Sequence, residues 1–261
     1  MPEGDTLART ARTLARWLEG RMITGARTRD GRIQISRLVG ATLTHPVARG
    51  KHLLLPFDNG LTLRTHMKMT GSWHVYPAGA RWRRPAHRAI VVLEAGDRVA
   101  VGFDIPDIQL ERTVVLAKVG AVAELGPDIL AEPLDISAIL ARVGARAAGM
   151  AMGEMLLDQR VVAGIGNMWR NEVLYAQRIN PWTTVDAVDQ STLVAVLEVA
   201  SALMKASVAG RRPKTQVYGR SGRPCRRCGE LVLSMPQGRM ARIAYWCPNC
   251  QPGCPAATER G

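Results

Sequence analysis

Two cysteine pairs constrain this chain more than any other feature: Cys225-Arg226-Arg227-Cys228 and Cys247-Pro248-Asn249-Cys250, with eighteen residues between them. Two C-x2-C steps at this separation fit a four-thiolate zinc site, closed by sulfur on all four sides. The one Zn2+ that Cys225, Cys228, Cys247 and Cys250 imply is therefore structural, and chemistry must lie elsewhere. Two disulfides are the alternative use of the same thiols, but nothing in the chain points to the oxidising compartment they need. Between the pairs, Leu231 to Leu233 and Ile243 to Trp246 can form a hairpin around Pro236-Gln237-Gly238. Cys254 falls outside the pattern and reads as a bystander.

Such a finger is a small part of 261 residues, and the remainder predicts one large or two moderate domains. Hydrophobic residues make up 47% of the chain, which suits a soluble globular protein. The longest apolar runs, Ala147 to Met152 and Leu193 to Ala200, fall short of the roughly 20 residues that span a bilayer. Glu3 and Asp5 precede any apolar stretch, the wrong order for a secretory signal. The expectation is an intracellular protein with no membrane partner.

The net charge of +13 points to a polyanion. Between Lys205 and Trp246 ten lysines and arginines face a single acid, Glu230. A solvated arginine-rich face is the plainer reading of that excess.

From Asp5 to Glu19, Leu7, Ala11, Leu14 and Leu18 share one helical face, with Asp5 as N-cap. Beyond Met22 the pattern becomes short β-type runs at Arg32–Leu38, His52–Phe57, Leu61–Thr65, Ala89–Leu93 and Arg98–Phe103. A β-sandwich or barrel follows. After Gly126-Pro127-Asp128 and Glu132-Pro133 the chain reads as helices over Ile136–Val143, Met150–Gln159, Asn167–Gln177 and Asp189–Val208. The predicted class is α+β and multidomain, with a sandwich domain over 1–120, a helical domain over 127–210 and a finger over 217–252.

The opening Met1-Pro2-Glu3-Gly4-Asp5-Thr6 suggests where the chemistry lies. Removal of Met1 would expose the secondary amine of Pro2 beside a carboxylate and a helix N-terminus. An N-terminal amine titrates near 8, and the positive helix end lowers that value, so a useful fraction is nucleophilic at neutral pH. Condensed with a sugar at C1′, a secondary amine gives an iminium that cannot discharge by losing a nitrogen proton. It is then an electron sink for elimination. Met-Pro openings are common, so this reading needs support from the rest of the chain.

Five segments supply that support: MPEGDT, Gly50-Lys51-His52-Leu53-Leu54, THMKMTGSW over 65–73, VAGIGNMWRNEVLY over 162–175, and VYGRSGRPCRRCG over 217–229. In this order they resemble the formamidopyrimidine-DNA glycosylase and endonuclease VIII family over nearly the whole chain. The resemblance implies an N-terminal helix and β-sandwich, a helix-two-turns-helix domain and a zinc-hairpin finger. It also implies a bifunctional glycosylase and abasic-site lyase of base excision repair. The partner would be damaged DNA, duplex or partly single-stranded, and the enzyme a cytoplasmic, nucleoid-associated monomer.

Residue by residue, the resemblance makes Pro2 the Schiff-base nucleophile and Glu3 its proton-transfer partner. Lys51 is similar to a β-hairpin lysine that binds phosphate beside the lesion; an ordinary strand-end lysine is the alternative. Asn167, in the Gly164-Ile165-Gly166-Asn167 turn, and Arg242 resemble phosphate-gripping residues, with Arg220 a weaker candidate. A helix cap is the alternative for Asn167, and a solvated surface for the two arginines. Met69 resembles the methionine that fills the space left by an extruded base, and hairpin core packing is its alternative. His45, His52 and His66 show no ligand or triad spacing and read as structural.

The chain departs from the purine-specific branch in two places. Where that branch carries an arginine and phenylalanine wedge, this chain reads Phe103-Asp104-Ile105-Pro106-Asp107-Ile108, and the connector from Val208 to Val217 is short for a loop covering an oxidised purine. Both departures favour the endonuclease VIII side and oxidised pyrimidines. Two alternatives remain: an oxidised-purine glycosylase, and a non-enzymatic zinc-ribbon nucleic-acid binder. The binder leaves Pro2-Glu3 and the Lys51 segment unexplained.

Overall fold

The computed structural model describes residues 2–211 and 213–253, so Met1 and Cys254 lie outside the described residues. The chain divides into two compact units between Glu124 and Leu125.

The first unit opens with helix α1 (Gly4–Leu18), whose Leu7, Ala11, Leu14 and Leu18 are all buried. Each such leucine withdrawn from water stabilises the unit by about 1.5–3 kcal/mol. Asp5 is not the N-cap. Glu3 holds that place, its carbonyl accepting the N–H groups of Thr6 and Leu7, and Asp5 sits in the first turn paired with Arg9 at 3.0 Å. A carboxylate there is favoured by the helix dipole and by a cation one turn on.

Eight strands follow: β1 (Gly25–Thr28), β2 (Val47–Arg49), β3 (His52–Pro56), β4 (Leu61–His66), β5 (Ser72–Pro77), β6 (Ala89–Ala95), β7 (Arg98–Phe103) and β8 (Asp107–Arg112). They form two antiparallel sheets, in the orders β1-β6-β7-β5 and β2-β3-β4-β8. Leu53, Leu55 and Leu63 of one sheet share a core with Val91, Leu93 and Ala100 of the other and with α1. This is the expected sandwich.

The strand expected at Arg32–Leu38 is instead a loop ending in a 3-10 turn, Ile35–Leu38. Its buried residues, Ile35 and Leu38, stand three apart, a helical period that the apolar content of the run masks. Strands β1, β2, β5 and β8 carry no strict alternation of buried and exposed residues and are not evident in the sequence.

The second unit begins after a short helix, α2 (Thr113–Leu116), and holds α3 (Ile136–Arg146), α4 (Met152–Met155), α5 (Asn167–Ala176) and α6 (Gln190–Val208). Asp135 and Asp189 cap α3 and α6 through Ala138 and Thr192 N–H groups. The helix expected over Met150–Gln159 stops at Met155. Gln159 explains why: its amide donates to the Leu157 and Ile165 carbonyls at 2.9 and 3.0 Å and accepts from Gly164 N–H at 3.0 Å, fixing the two turns that lead to α5. Helix α6 is long and apolar enough, by length and composition, to cross a membrane, although the sequence shows only a shorter apolar run. Its Leu193, Val196, Leu197, Ala200 and Met204 are buried in one cluster with Ile139, Val143, Trp169 and Val173, the packing of a core helix.

The finger hairpin pairs β9 (Leu233–Gln237) with β10 (Arg242–Trp246). The turn lies over Gly238–Ala241, beyond the expected Pro236-Gln237-Gly238, and Pro236 sits within β9 opposite Ile243. A two-stranded ribbon has only edges, so a residue without an N–H is tolerated there.

Candidate active site and nucleic-acid interface

In the first unit Pro2 is half-buried, while Glu3 is only 2% exposed. Thr6, Arg9 and Thr10 of α1 line a cavity of about 310 Å3 together with Trp73, whose indole N–H donates to Thr65 Oγ1 at 3.1 Å. This places the first turns of α1 beside the end of β4. Antiparallel register brings the Lys51 turn to the same end, because Arg49 pairs with His52 and Leu53 with Thr65. Gly50 takes a φ of 58° in that turn, where a side chain would be strained.

The turn after β4 carries the methionines. Met67 is buried at 2% exposure, whereas Met69 is 64% exposed, so core packing accounts for the first and not the second. Gly71 closes the turn, donating its N–H to Met67 O at 2.8 Å, and a Cβ on it would lie 2.7 Å from that oxygen. Lys68 adopts a φ of 47°, costing about 1–2 kcal/mol for a residue with a side chain. Pro2, Glu3, Lys51 and Met69 thus belong to loops and a helix start at one end of the sandwich.

The same end holds groups the sequence did not single out for chemistry. On one face of β2-β3-β4-β8, register aligns His52, His66 and Asp107 in one row and Arg64 and Gln109 in the next. Arg64, 9% exposed, donates to Asp107 Oδ1 at 2.6 Å and Gln109 Oε1 at 3.1 Å, with His52 Nδ1 at 3.1 Å. Burial, then the neighbouring His66 and Arg64, push His52 down to about 3; burial and Lys68 push His66 down to about 4. Both rings are neutral at neutral pH. Asp107 is held below the usual carboxylate range, because hydrogen bonding and the charge of Arg64 outweigh its desolvation. An arginine between Leu63 and Thr65 in a buried strand was the available signal.

In the second unit the four cysteine sulfurs lie within 4.8 Å of one another, with Cys228 at 3.4 Å from Cys247 and 3.5 Å from Cys250, and Cys225 at 3.9 Å from Cys250. A sulfur tetrahedron around zinc, with bonds of about 2.3 Å, has edges of about 3.8 Å. The donor set fits a closed metal site. The Tyr175 hydroxyl stands 3.2 Å from Cys225 Sγ, linking the site to α5.

Asn167 is not the cap of α5; Gly166 is, and the Asn167 amide donates to Ile243 O at 3.0 Å. Three more polar residues of α5 hold the hairpin or the connector that leads to it. Arg170, fully buried, donates to Gln237 Oε1 at 2.8 Å and Ile243 O at 2.9 Å, and Asn171 accepts Tyr245 N–H at 2.7 Å. Glu172 accepts the N–H groups of Gln216, Val217 and Tyr218 at 2.7, 3.1 and 2.9 Å, ending the connector after α6. Sequence reading missed this role, for which the run of three polar residues Arg170-Asn171-Glu172 between Trp169 and Val173 was the signal. Arg242 starts β10, half-buried, while Arg220 donates to Pro224 O at 2.7 Å and so braces its own turn.

Residues 1–104 match the model of the formamidopyrimidine-DNA glycosylase N-terminal domain, and residues 125–217 that of the formamidopyrimidine-DNA glycosylase H2TH domain. The chain is 39% identical to the probable endonuclease 8 2 of Streptomyces coelicolor, over 97% of this chain and 95% of that one. It is 33% identical to the DNA-(apurinic or apyrimidinic site) lyase Nei2 of Mycolicibacterium smegmatis, over 96% and 99%. Among solved structures, the Lactococcus lactis Fpg in complex with abasic-site DNA shares the fold, with a TM-score of 0.83 at 20% identity, over 97% of this chain and 100% of that one. The chain therefore belongs to the formamidopyrimidine-DNA glycosylase and endonuclease VIII family, on the endonuclease VIII side.

Proposed function

We propose that this chain is a bifunctional DNA glycosylase and abasic-site lyase of base excision repair that removes oxidised pyrimidines. The carrying observation is the pairing of a half-buried Pro2 with a buried Glu3 carboxyl at the start of α1, at the sandwich end that also presents Lys51 and Met69. Loss of Met1 frees the Pro2 amine. Its lone pair attacks C1′, the base departs with its bonding electrons, the attacking nitrogen gives up its proton to the departing base, and Glu3 protonates the ring oxygen as the C1′–O4′ bond breaks and the sugar opens to an iminium. Loss of a C2′ proton expels the 3′ phosphate, and a second elimination expels the 5′ phosphate. Water then releases the unsaturated sugar from Pro2.

DNA is held through its phosphates by Lys51, Asn167 and Arg242, with Arg220 contributing through its turn. The Asn167 amide has two N–H donors and gives one to Ile243, leaving the other for a phosphate. Met69 occupies the space of the extruded base. Zinc in the four-cysteine site is structural, since four thiolates close its coordination, and the site orders the hairpin that carries Arg242. The domains are a sandwich over 1–120, a helix-two-turns-helix region over 127–210 and a finger over 217–252. The enzyme works as a cytoplasmic, nucleoid-associated monomer on duplex or partly single-stranded DNA.

Borohydride reduction during turnover tests the nucleophile. Enzyme should become covalently joined to a thymine-glycol strand, with the adduct mapped to Pro2 and Met1 absent by intact mass. Pro2→Gly should trap poorly. An adduct on Lys51 with Pro2 dispensable would overturn the mechanism, and faster cleavage of 8-oxoguanine than of thymine glycol would overturn the pyrimidine preference.

A further inference from the structure

The segment Phe103–Ile108 lacks an arginine and phenylalanine wedge, yet it touches the Met69 turn at two points. Thr70 Oγ1 donates to Asp104 O at 3.1 Å, and Lys68 Nζ stands 4.0 Å from Asp107 Oδ2. We propose that Asp107 is a positioning residue that holds the Met69 turn in the shape needed to fill the void left by an extruded base. This rests on the reading of Met69 given above.

The turn needs an external hold. Lys68 lies in the left-handed region, immediately before Met69, where a side chain disfavours the backbone. Its N–H donates to His66 Nδ1 at 3.0 Å, which requires that ring nitrogen to carry no proton, and its ammonium faces Asp107. Asp107 is in turn fixed. Arg64 grips both its oxygens, at 2.6 and 3.3 Å, and Arg64 is itself buried against Gln109 and His52. A row runs from the interior of the sheet to the exposed methionine: His52, Arg64, Asp107, Lys68, Met69. Asp104 steadies the other side of the turn through its carbonyl, while Arg84 and Arg88 occupy its carboxylate at 2.9 and 2.8 Å. A turn held this way is formed before DNA arrives, and the ordering cost at the moment of base extrusion falls.

The test compares an abasic site in duplex with the same abasic site in single-stranded DNA, since a strand without a partner has no void to fill. Lys68→Gln and Asp107→Asn should each lower the duplex-to-single-strand rate ratio, by about two- to fivefold. The double variant should lose no more than the worse single one, because both remove the same contact. Asp107→Glu should recover most of the ratio. Lys68 is half-exposed, so Lys68→Gln carries the test if Asp107→Asn does not fold. An unchanged ratio in the variants, with Met69→Ala lowering it, would overturn the role of Asp107 alone. An unchanged ratio in Met69→Ala would overturn the reading of Met69 beneath it.

Discussion

Arg170 Nη1 donates to Gln237 Oε1 at 2.8 Å, and both residues are buried. The guanidinium belongs to α5 and the amide to the finger hairpin, so one buried charge joins the helical core to the finger. Gln237 also donates to Pro181 O at 2.7 Å. Replacing Arg170 with Met keeps the bulk but strands Gln237 Oε1, while the Ile243 carbonyl keeps the Asn167 amide as donor, at a cost of roughly 1–3 kcal/mol. The variant should surrender its metal to a colorimetric chelator faster than wild type. Equal release rates would mean that the contact does not hold the finger.

Metal removal should act more broadly in the same region. Cys225, Cys247 and Cys250 are buried with Tyr175, Val217 and Val232, a cluster too small to persist without the tetrahedral site at its centre. Cys225→Ser or Cys247→Ser should abolish DNA binding while the sandwich keeps its β-type circular dichroism. Retained DNA affinity after verified loss of metal would defeat this account.

The cysteine pairs and α1 were legible because each is a local pattern, complete within a few turns of chain. The same holds for strands β3, β4, β6 and β7, bounded by turn residues. What escaped was whatever is completed at a distance. Arg170 meets its partner 67 positions away, Glu172 caps Val217 across 45, and Arg64 finds Asp107 across 43. Sequence marks such residues as polar in apolar surroundings and leaves their partners unnamed. His52 and His66 showed no ligand spacing for the same reason, since register rather than spacing puts them together at a centroid distance of 4.9 Å.

Salt should report the phosphate contacts. Binding to duplex should weaken steeply with ionic strength, and Lys51→Ala and Arg242→Ala should each flatten the slope by about one unit, on lesion and plain DNA alike. A variant with the wild-type slope would remove that residue from the contact list.

His52 gives the fold an acid sensitivity of defined sign. Its folded value lies near 3 and its unfolded value near 6.5, so below 6.5 the unfolded chain binds the extra proton. Stability should therefore fall as pH drops from about 6.5 towards 4. His66, depressed to about 4, adds in the same direction, while Arg64, Lys68 and Asp107 face the pair. His52→Gln keeps an acceptor for Arg64 and removes the titration, so its urea midpoint should vary less over this range. A midpoint that varied as steeply as wild type would place the acid sensitivity elsewhere.

Glu3 allows the two halves of the proposed reaction to be separated. Its backbone carbonyl accepts the Thr6 and Leu7 N–H groups, bonds that survive Glu3→Gln, so α1 should stay folded. Base excision needs a proton delivered to the sugar as the base leaves, and loss of a positioned acid costs about a hundred- to ten-thousandfold. A preformed abasic site already exists partly as the open aldehyde and needs less help. Glu3→Gln should therefore lose thymine-glycol excision by about a hundredfold or more, yet cleave a preformed abasic site within about tenfold of wild type. The product of that cleavage should be a gap bounded by phosphate at both ends, because the Pro2 iminium supports both eliminations. Equal losses on the two substrates would assign Glu3 to a step they share, and a single 3′ unsaturated aldehyde end would limit the enzyme to one elimination.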